Sequence, residues 1–181
     1  MKILAFAASN SSKSINRQLV QYAAGLIEEA AVEVLDINDY EMPLYSSDRE
    51  EAGGIPELAQ QFKEKIAQAD ALIISYAEHN GSYTAAYKNL FDWTSRLDQK
   101  VYQGKPIIML ATSPGPGGAR NVLSAAKNSA PHFSGEVKAD LSIPSFYKNF
   151  DSEKGQLSND ELDVQLKQAL DLLLLELANA A

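Results

Sequence analysis

Residues whose types and spacing can do chemistry gather in three short segments. The first, Ser9-Asn10-Ser11-Ser12-Lys13-Ser14-Ile15-Asn16, holds four serines and two asparagines in eight positions. Between a strand and a helix start, such a loop suits a phosphate. The first N–H groups of the helix lack partners, its dipole is positive there, and hydroxyls add neutral donors. An ordinary capped turn uses the same residue types, so that alternative stays open. The second segment, Ala77-Glu78-His79-Asn80-Gly81-Ser82-Tyr83, can turn sharply at Asn80-Gly81, and Gly81 lets backbone approach a flat ligand. A ligand-free tight turn fits it equally well, and His79 alone marks neither a metal ligand nor a base. The third, Thr112-Ser113-Pro114-Gly115-Pro116-Gly117-Gly118-Ala119-Arg120, offers a rigid, side-chain-poor surface for a ring system.

Other chemistries fit less well. The Gly115-x-Gly117 pair begins a dinucleotide fingerprint, but Arg120 stands where its third glycine belongs and no acidic residue closes a following strand. There is neither a G-x-x-x-x-G-K-[ST] phosphate loop nor a G-x-S-x-G nucleophile elbow. Zero cysteines exclude disulfides, thiol nucleophiles and cysteine-ligated clusters. Two histidines, His79 and His132, make a three-histidine zinc site impossible. The acids Asp36, Asp39, Glu41 and Asp48 read as a solvated face. A net charge of −8 argues against nucleic acid or an anionic membrane as the partner. No stretch is apolar for long enough to span a bilayer, and the N-terminus lacks a signal-peptide pattern. A cytoplasmic protein is the expectation.

The elements that must position these loops follow from periodicity. Lys2 to Ala8, Ala71 to Ala77 and Pro106 to Thr112 are short apolar runs suited to buried strands. Val32 to Ile37 is a further strand. Val137, Ala139, Leu141 and Ile143 alternate with polar residues, as an edge strand with one wet face should. Ile15, Leu19, Ala23, Leu26 and Ala30 repeat at helical spacing, with Ser14 as N-cap. Further helices are expected over Leu58 to Ala69, Tyr83 to Leu97, Gly118 to Phe133 and Asn159 to Asn179, and a surface loop over Asn38 to Pro56. Strands alternating with helices imply crossovers and a parallel sheet, here one doubly wound α/β domain over residues 1–181. In such sheets ligands sit beyond the carboxyl ends of the strands, where the three loops fall.

Together the three loops resemble the NADPH-dependent FMN reductase family. The most specific match is Glu78-His79-Asn80-Gly81-Ser82 leading into Lys88-Asn89-Leu90-Phe91-Asp92-Trp93. Supporting it are the Ser9-x-x-x-x-Ser14-x-Asn16-Arg17 opening, Met42-Pro43-Leu44-Tyr45 ahead of Asp48, Gly104-Lys105-Pro106, and Ser113-Pro114-Gly115 before Gly117-Gly118. The resemblance implies a flavodoxin-like three-layer sandwich with a five-stranded parallel sheet in the order 2-1-3-4-5. It implies FMN, its phosphate at Ser9, Ser11, Ser14, Ile15 and Asn16. The flavin ring would lie between Glu78, His79, Asn80, Gly81 and Ser82 on one side and Ser113, Pro114, Gly115 and Gly117 on another. NADPH or NADH would supply hydride, and a quinone, free flavin, azo compound or metal ion would accept electrons. The cofactor carries the chemistry, so no catalytic side chain is implied. One departure is Ser11 where the family often has arginine, which leaves a charged clamp on the phosphate and the choice of nicotinamide open. Ala77 for a frequent proline and His79 for a frequent tyrosine bear on substrate choice.

The helix from Tyr83 to Leu97 is apolar beyond one stripe, with Ala86, Phe91 and Trp93 outside it. That excess suggests a homodimer or homotetramer, or simply a Trp93 that fills the core. The leucine-rich final helix is a second candidate surface. Two rival functions share the fold. A flavodoxin-type electron carrier suits the acidic charge, but its phosphate loop is usually richer in glycine and ends in threonine. A cofactor-free binding module would have less reason to keep three intact loops.

Overall fold

The computed structural model describes residues 1–180. Strand β1 (Lys2–Ala8) is followed by helix α1 (Ile15–Gly25), strand β2 (Ala31–Leu35) and a 3-10 turn at Ile37–Tyr40. Helices α2 (Ser47–Gly53) and α3 (Glu57–Ala67) lead to β3 (Ala71–Tyr76). A hairpin of β4 (Glu78–His79) and β5 (Ser82–Tyr83) then opens into α4 (Ala85–Leu97). Next come β6 (Pro106–Thr112), α5 (Arg120–Ser129), a 3-10 turn at Ala130–Phe133 and β7 (Glu136–Ile143). The chain closes with α6 (Phe146–Asn149), a second hairpin of β8 (Phe150–Asp151) and β9 (Gln156–Leu157), and α7 (Asp160–Ala180).

The main sheet is parallel, in the order β2-β1-β3-β6-β7. With the β4–β5 hairpin left out of the count this is the expected 2-1-3-4-5. Continuous apolar runs serve here because successive side chains feed opposite faces. Leu4, Phe6, Leu72, Ile74, Ile107 and Met109 pack on the side of α3, α4 and α5. Ile3, Ala5, Ile73, Ile108 and Leu110 pack on the side of α1 and α7. Two cores therefore flank one sheet.

Local departures from the expected elements have identifiable causes. Helix α1 stops at Gly25, where the Leu26 and Ile27 N–H groups turn to the Ala23 and Ala24 carbonyls, so Ala30 lies outside it. The helix expected from Tyr83 starts at Ala85, because Tyr83 pairs in the hairpin and Thr84 caps the helix. The one expected over Gly118 to Phe133 is α5 followed by a 3-10 turn, with Pro131 at its start. In β7, Val137 stands opposite Ile107 and Ala139 opposite Ile108, leaving Lys138 as the extra residue of a bulge. Val137 consequently packs with the α4 core, and Ala139 and Leu141 with the α7 core. The single wet face expected from the alternation is thereby broken.

The stretch after β2 is not the surface loop its prolines and acids suggest. Ile37, Tyr40 and Met42 are buried, and the segment straps across α4. There the Trp93 indole N–H donates to the Pro43 carbonyl at 2.7 Å, and the Asn89 amide donates to the Met42 carbonyl at 3.0 Å. Tyr45 packs edge-on against Trp93, with ring centroids 5.0 Å apart. Phe91 is covered by Tyr102 and Phe133. Of the three residues outside the stripe, Trp93, 1% exposed, fills the core, while Ala86 and Phe91 stay half-buried. Trp93 itself is therefore no argument for a subunit interface.

Because Trp93 joins the strap to the core, Trp93→Ala should destabilise the protein by about 3–5 kcal/mol. Urea unfolding followed by far-ultraviolet circular dichroism checks this, since the substitution removes the only tryptophan. A loss below about 1 kcal/mol would mean that the strap is not held through Trp93.

Candidate functional site

Ser14 is the N-cap of α1, its hydroxyl oxygen accepting from the Arg17 N–H at 3.2 Å. Ser9 accepts from the Ser11 N–H and Ser11 from the Lys13 N–H, each at 3.3 Å. All three hydroxyls thus act as acceptors within the loop, which leaves each O–H proton free to donate outward. Among the described residues, the N–H groups of Ile15 and Asn16 have no protein acceptor. The loop is therefore an array of donors at the positive end of a helix, suited to an anion.

The Asn16 side chain has a different task from its N–H. Its amide donates to the Thr112 carbonyl at 3.1 Å and accepts from the Thr112 N–H at 3.0 Å and the Ser75 hydroxyl at 2.8 Å. It is 2% exposed, so the side chain ties the start of α1 to the ends of β3 and β6 and is not presented to a ligand.

Asn80 and Gly81, at φ of 52° and 75°, form the two-residue turn of the hairpin. Both central residues are left-handed, as a type I′ turn requires. The hairpin is anchored at both ends. Thr84 donates its hydroxyl to the Ala8 carbonyl at 3.0 Å, and the Glu78 carboxylate accepts from the Val122 N–H at 3.0 Å and the Asn121 amide at 3.3 Å. Helix α5 needs that acceptor, because its N-cap Ala119 is left-handed and has no capping side chain. The third loop is fastened in turn: the Ser145 N–H donates to the Gly115 carbonyl at 2.9 Å and the Phe146 N–H to the Ser113 carbonyl at 3.0 Å. At Gly118, also left-handed, a Cβ would lie 2.2 Å from the Ser142 hydroxyl, so glycine is required. At Gly115 and Gly117 a Cβ would meet nothing within 4 Å, so those faces are open.

One cleft of about 230 Å³ gathers Ser9, Ser11, Ser14, Ile15, Asn16, Glu78, His79, Ser113 and Pro114. Nine of the expected site residues thus meet, drawn from all three loops. Asn80, Gly81, Ser82, Gly115 and Gly117 are not among its lining residues. The cleft also takes in Lys13, Ala77, Thr112 and Tyr147. Tyr147 carried no sequence signal, because it enters from α6, beyond the last strand of the main sheet, and stands 68% exposed.

Charge around the cleft is largely engaged. Arg17 pairs with Asp36 at 2.5 Å. Burial pushes the Asp36 carboxyl up, but the Asn38 N–H and the Arg17 guanidinium outweigh it and hold it below the usual carboxylate range. Beneath the hairpin, Tyr87 and Tyr102 share a hydrogen bond at 3.0 Å, with Tyr76 beside them. Burial pushes the Tyr102 phenol up to about 12 and the other two well above the ordinary value, so the trio stays neutral. No group of His, Asp or Glu side chains among the described residues is placed to hold a metal ion.

The family model for NADPH-dependent FMN reductase matches residues 1–146. An NAD(P)H-dependent FMN reductase of Pseudomonas aeruginosa is 31% identical over 176 residues, covering 96% of this chain and 93% of its own length. An NADPH:quinone oxidoreductase of Arabidopsis thaliana is 29% identical over 177 residues, covering 94% and 88%. Among solved structures, FerB, a flavoenzyme NAD(P)H:(acceptor) oxidoreductase from Paracoccus denitrificans, superposes with a TM-score of 0.72 at 24% identity, covering 95% of this chain and 96% of that one. That likeness establishes a shared fold.

Asn16→Ala strands the Thr112 peptide groups and the Ser75 hydroxyl in the interior, each worth about 1–3 kcal/mol when unpaired. Urea unfolding of the flavin-free protein should therefore show a loss of at least about 2 kcal/mol. An unchanged midpoint with lost flavin binding would instead place the side chain on the cofactor.

Proposed function

The chain belongs to the NADPH-dependent FMN reductase family and is an NAD(P)H-dependent oxidoreductase with FMN as its cofactor; we propose that the cleft under the three loops is the seat of that cofactor and that a quinone or free flavin is the acceptor. The observation that carries this reading is the convergence of nine expected residues, separated by up to about a hundred positions in sequence, on one cleft. The donor set fits the group. Outward O–H protons on Ser9, Ser11 and Ser14 and the free N–H groups of Ile15 and Asn16 suit a phosphate.

FMN supplies hydride acceptance and release when bound. The protein's part is to hold and orient. Ser9 to Asn16 would bind the phosphate, while the β4–β5 hairpin and residues 113–117 would flank the ring. The hairpin is rigidly placed through Glu78 and Thr84, and the open faces of Gly115 and Gly117 leave room for a planar group. No side chain is assigned as a general acid. Quinone acceptors are supported by the names of relatives, among them a 2-hydroxy-1,4-benzoquinone reductase of a Burkholderia species, 38% identical over 117 residues. Azo compounds and metal ions are further acceptors to be tried.

No helix among the described residues is long and apolar enough to cross a membrane. We take residues 1–181 as one flavodoxin-like domain, since α7 packs its leucines on the same sheet as α1, and place it in the cytoplasm with its NAD(P)H supply. We also propose a homo-oligomer, resting on α7 and not α4. Val164, Leu172 and Leu175 are 50–60% exposed along one arc of that helix.

Protein reconstituted with FMN should lose its flavin absorbance on addition of NADPH or NADH without oxygen, and a quinone should restore it. No bleaching with either nicotinamide would end this reading. Bleaching by the isolated protein also separates it from a flavodoxin-type carrier, and a bound yellow cofactor separates it from a cofactor-free module. In size-exclusion chromatography the pair Leu172→Glu and Leu175→Glu should elute as a monomer and the parent as an oligomer. A monomeric parent at micromolar concentration would remove the α7 interface.

A further inference from the structure

Lys13 lies in the first loop, lines the cleft and is exposed. Among the described residues it has no ion-pair partner. The nearest arginine along the chain, Arg17, is committed to Asp36. The one acidic side chain lining the cleft, Glu78, is held by the start of α5. A ligand entering the cleft thus meets one unengaged lysine and no unengaged carboxylate. The other donors are neutral hydroxyls and N–H groups. They can hydrogen-bond a phosphate monoester, but they bring no full charge to offset its own within a protein of net charge −8.

We infer that Lys13 is the charge partner of the FMN phosphate and the residue that makes this cleft prefer FMN to riboflavin. The inference rests on the cofactor seat proposed above. A lysine suits the role because its ammonium is a compact charge on a flexible stem, able to settle on whichever phosphate oxygens the serines leave open. As the side chain is exposed, its attraction is screened by salt.

Flavin fluorescence quenching by the flavin-free protein tests this, with FMN and riboflavin as separate probes. For Lys13→Ala at low salt the FMN dissociation constant should rise about 5- to 10-fold, with riboflavin within 2-fold of the parent. The FMN difference should shrink at high salt, and Lys13→Arg should keep the preference. Unchanged FMN affinity, or equal losses for both flavins, would overturn the assignment while leaving the seat in place. A parent protein that binds both flavins equally would overturn the seat itself, and Lys13's role with it. Should Lys13→Ala leave both flavin affinities intact but lower kcat/KM for NADPH relative to NADH, the lysine serves the nicotinamide's extra phosphate, and this assignment falls.

Discussion

The site depends on one buried amide. Asn16 must donate to the Thr112 carbonyl while accepting from the Thr112 N–H and the Ser75 hydroxyl. A carboxylate cannot donate and a hydrophobe can do neither, so only an amide side chain of this length satisfies all three groups. The consequence is geometric. The first turn of α1 is locked to the carboxyl ends of two central strands, and the donors of the serine loop are held in a fixed place relative to the hairpin and the glycine-rich loop. Since both atoms of the amide are engaged, the side chain is not presented to a ligand.

The same logic governs the other two loops. Glu78 lies on the cleft lined by the donors of the serine loop. Its charge is directed to the Val122 N–H in the first turn of α5, where the helix dipole favours it. The helix needs it because Ala119, forced left-handed after Gly118, cannot cap. Gly118 is in turn required by its contact with Ser142, next to the segment that brings Tyr147 to the cleft. Each loop is thus held by a partner distant in sequence, and the cleft results from those ties.

Much of the fold was legible in the chain. Short apolar runs identify the central strands because residues facing two cores leave no polar alternation to obscure them. Ser14, Asn80-Gly81 and the three loops could be read because capping and left-handed turns select residue types locally. The segment after Leu35 could not be read that way. Its prolines and acids mark irregular backbone correctly, yet Tyr40 and Met42 are buried because Trp93 and Asn89, some fifty residues later, bond its carbonyls. In β7, regular alternation in the sequence was undone by one bulged lysine.

Which residue types gather at the sheet's edge was settled by the sequence itself: hydroxyls, amides and glycines, with no thiol and only two histidines. Those types carry no redox chemistry of their own, so the chemistry must come from a borrowed group. What each residue does there was decided by tertiary structure. Asn16 became a tie, Glu78 a helix cap and Lys13 a cation with no ion-pair partner among the described residues, while Tyr147 arrived from beyond the last strand of the main sheet. The physical reason is that a polar side chain's role is set by which partners consume its donors and acceptors. Those partners lie up to about a hundred residues away, where only the packed sheet can bring them.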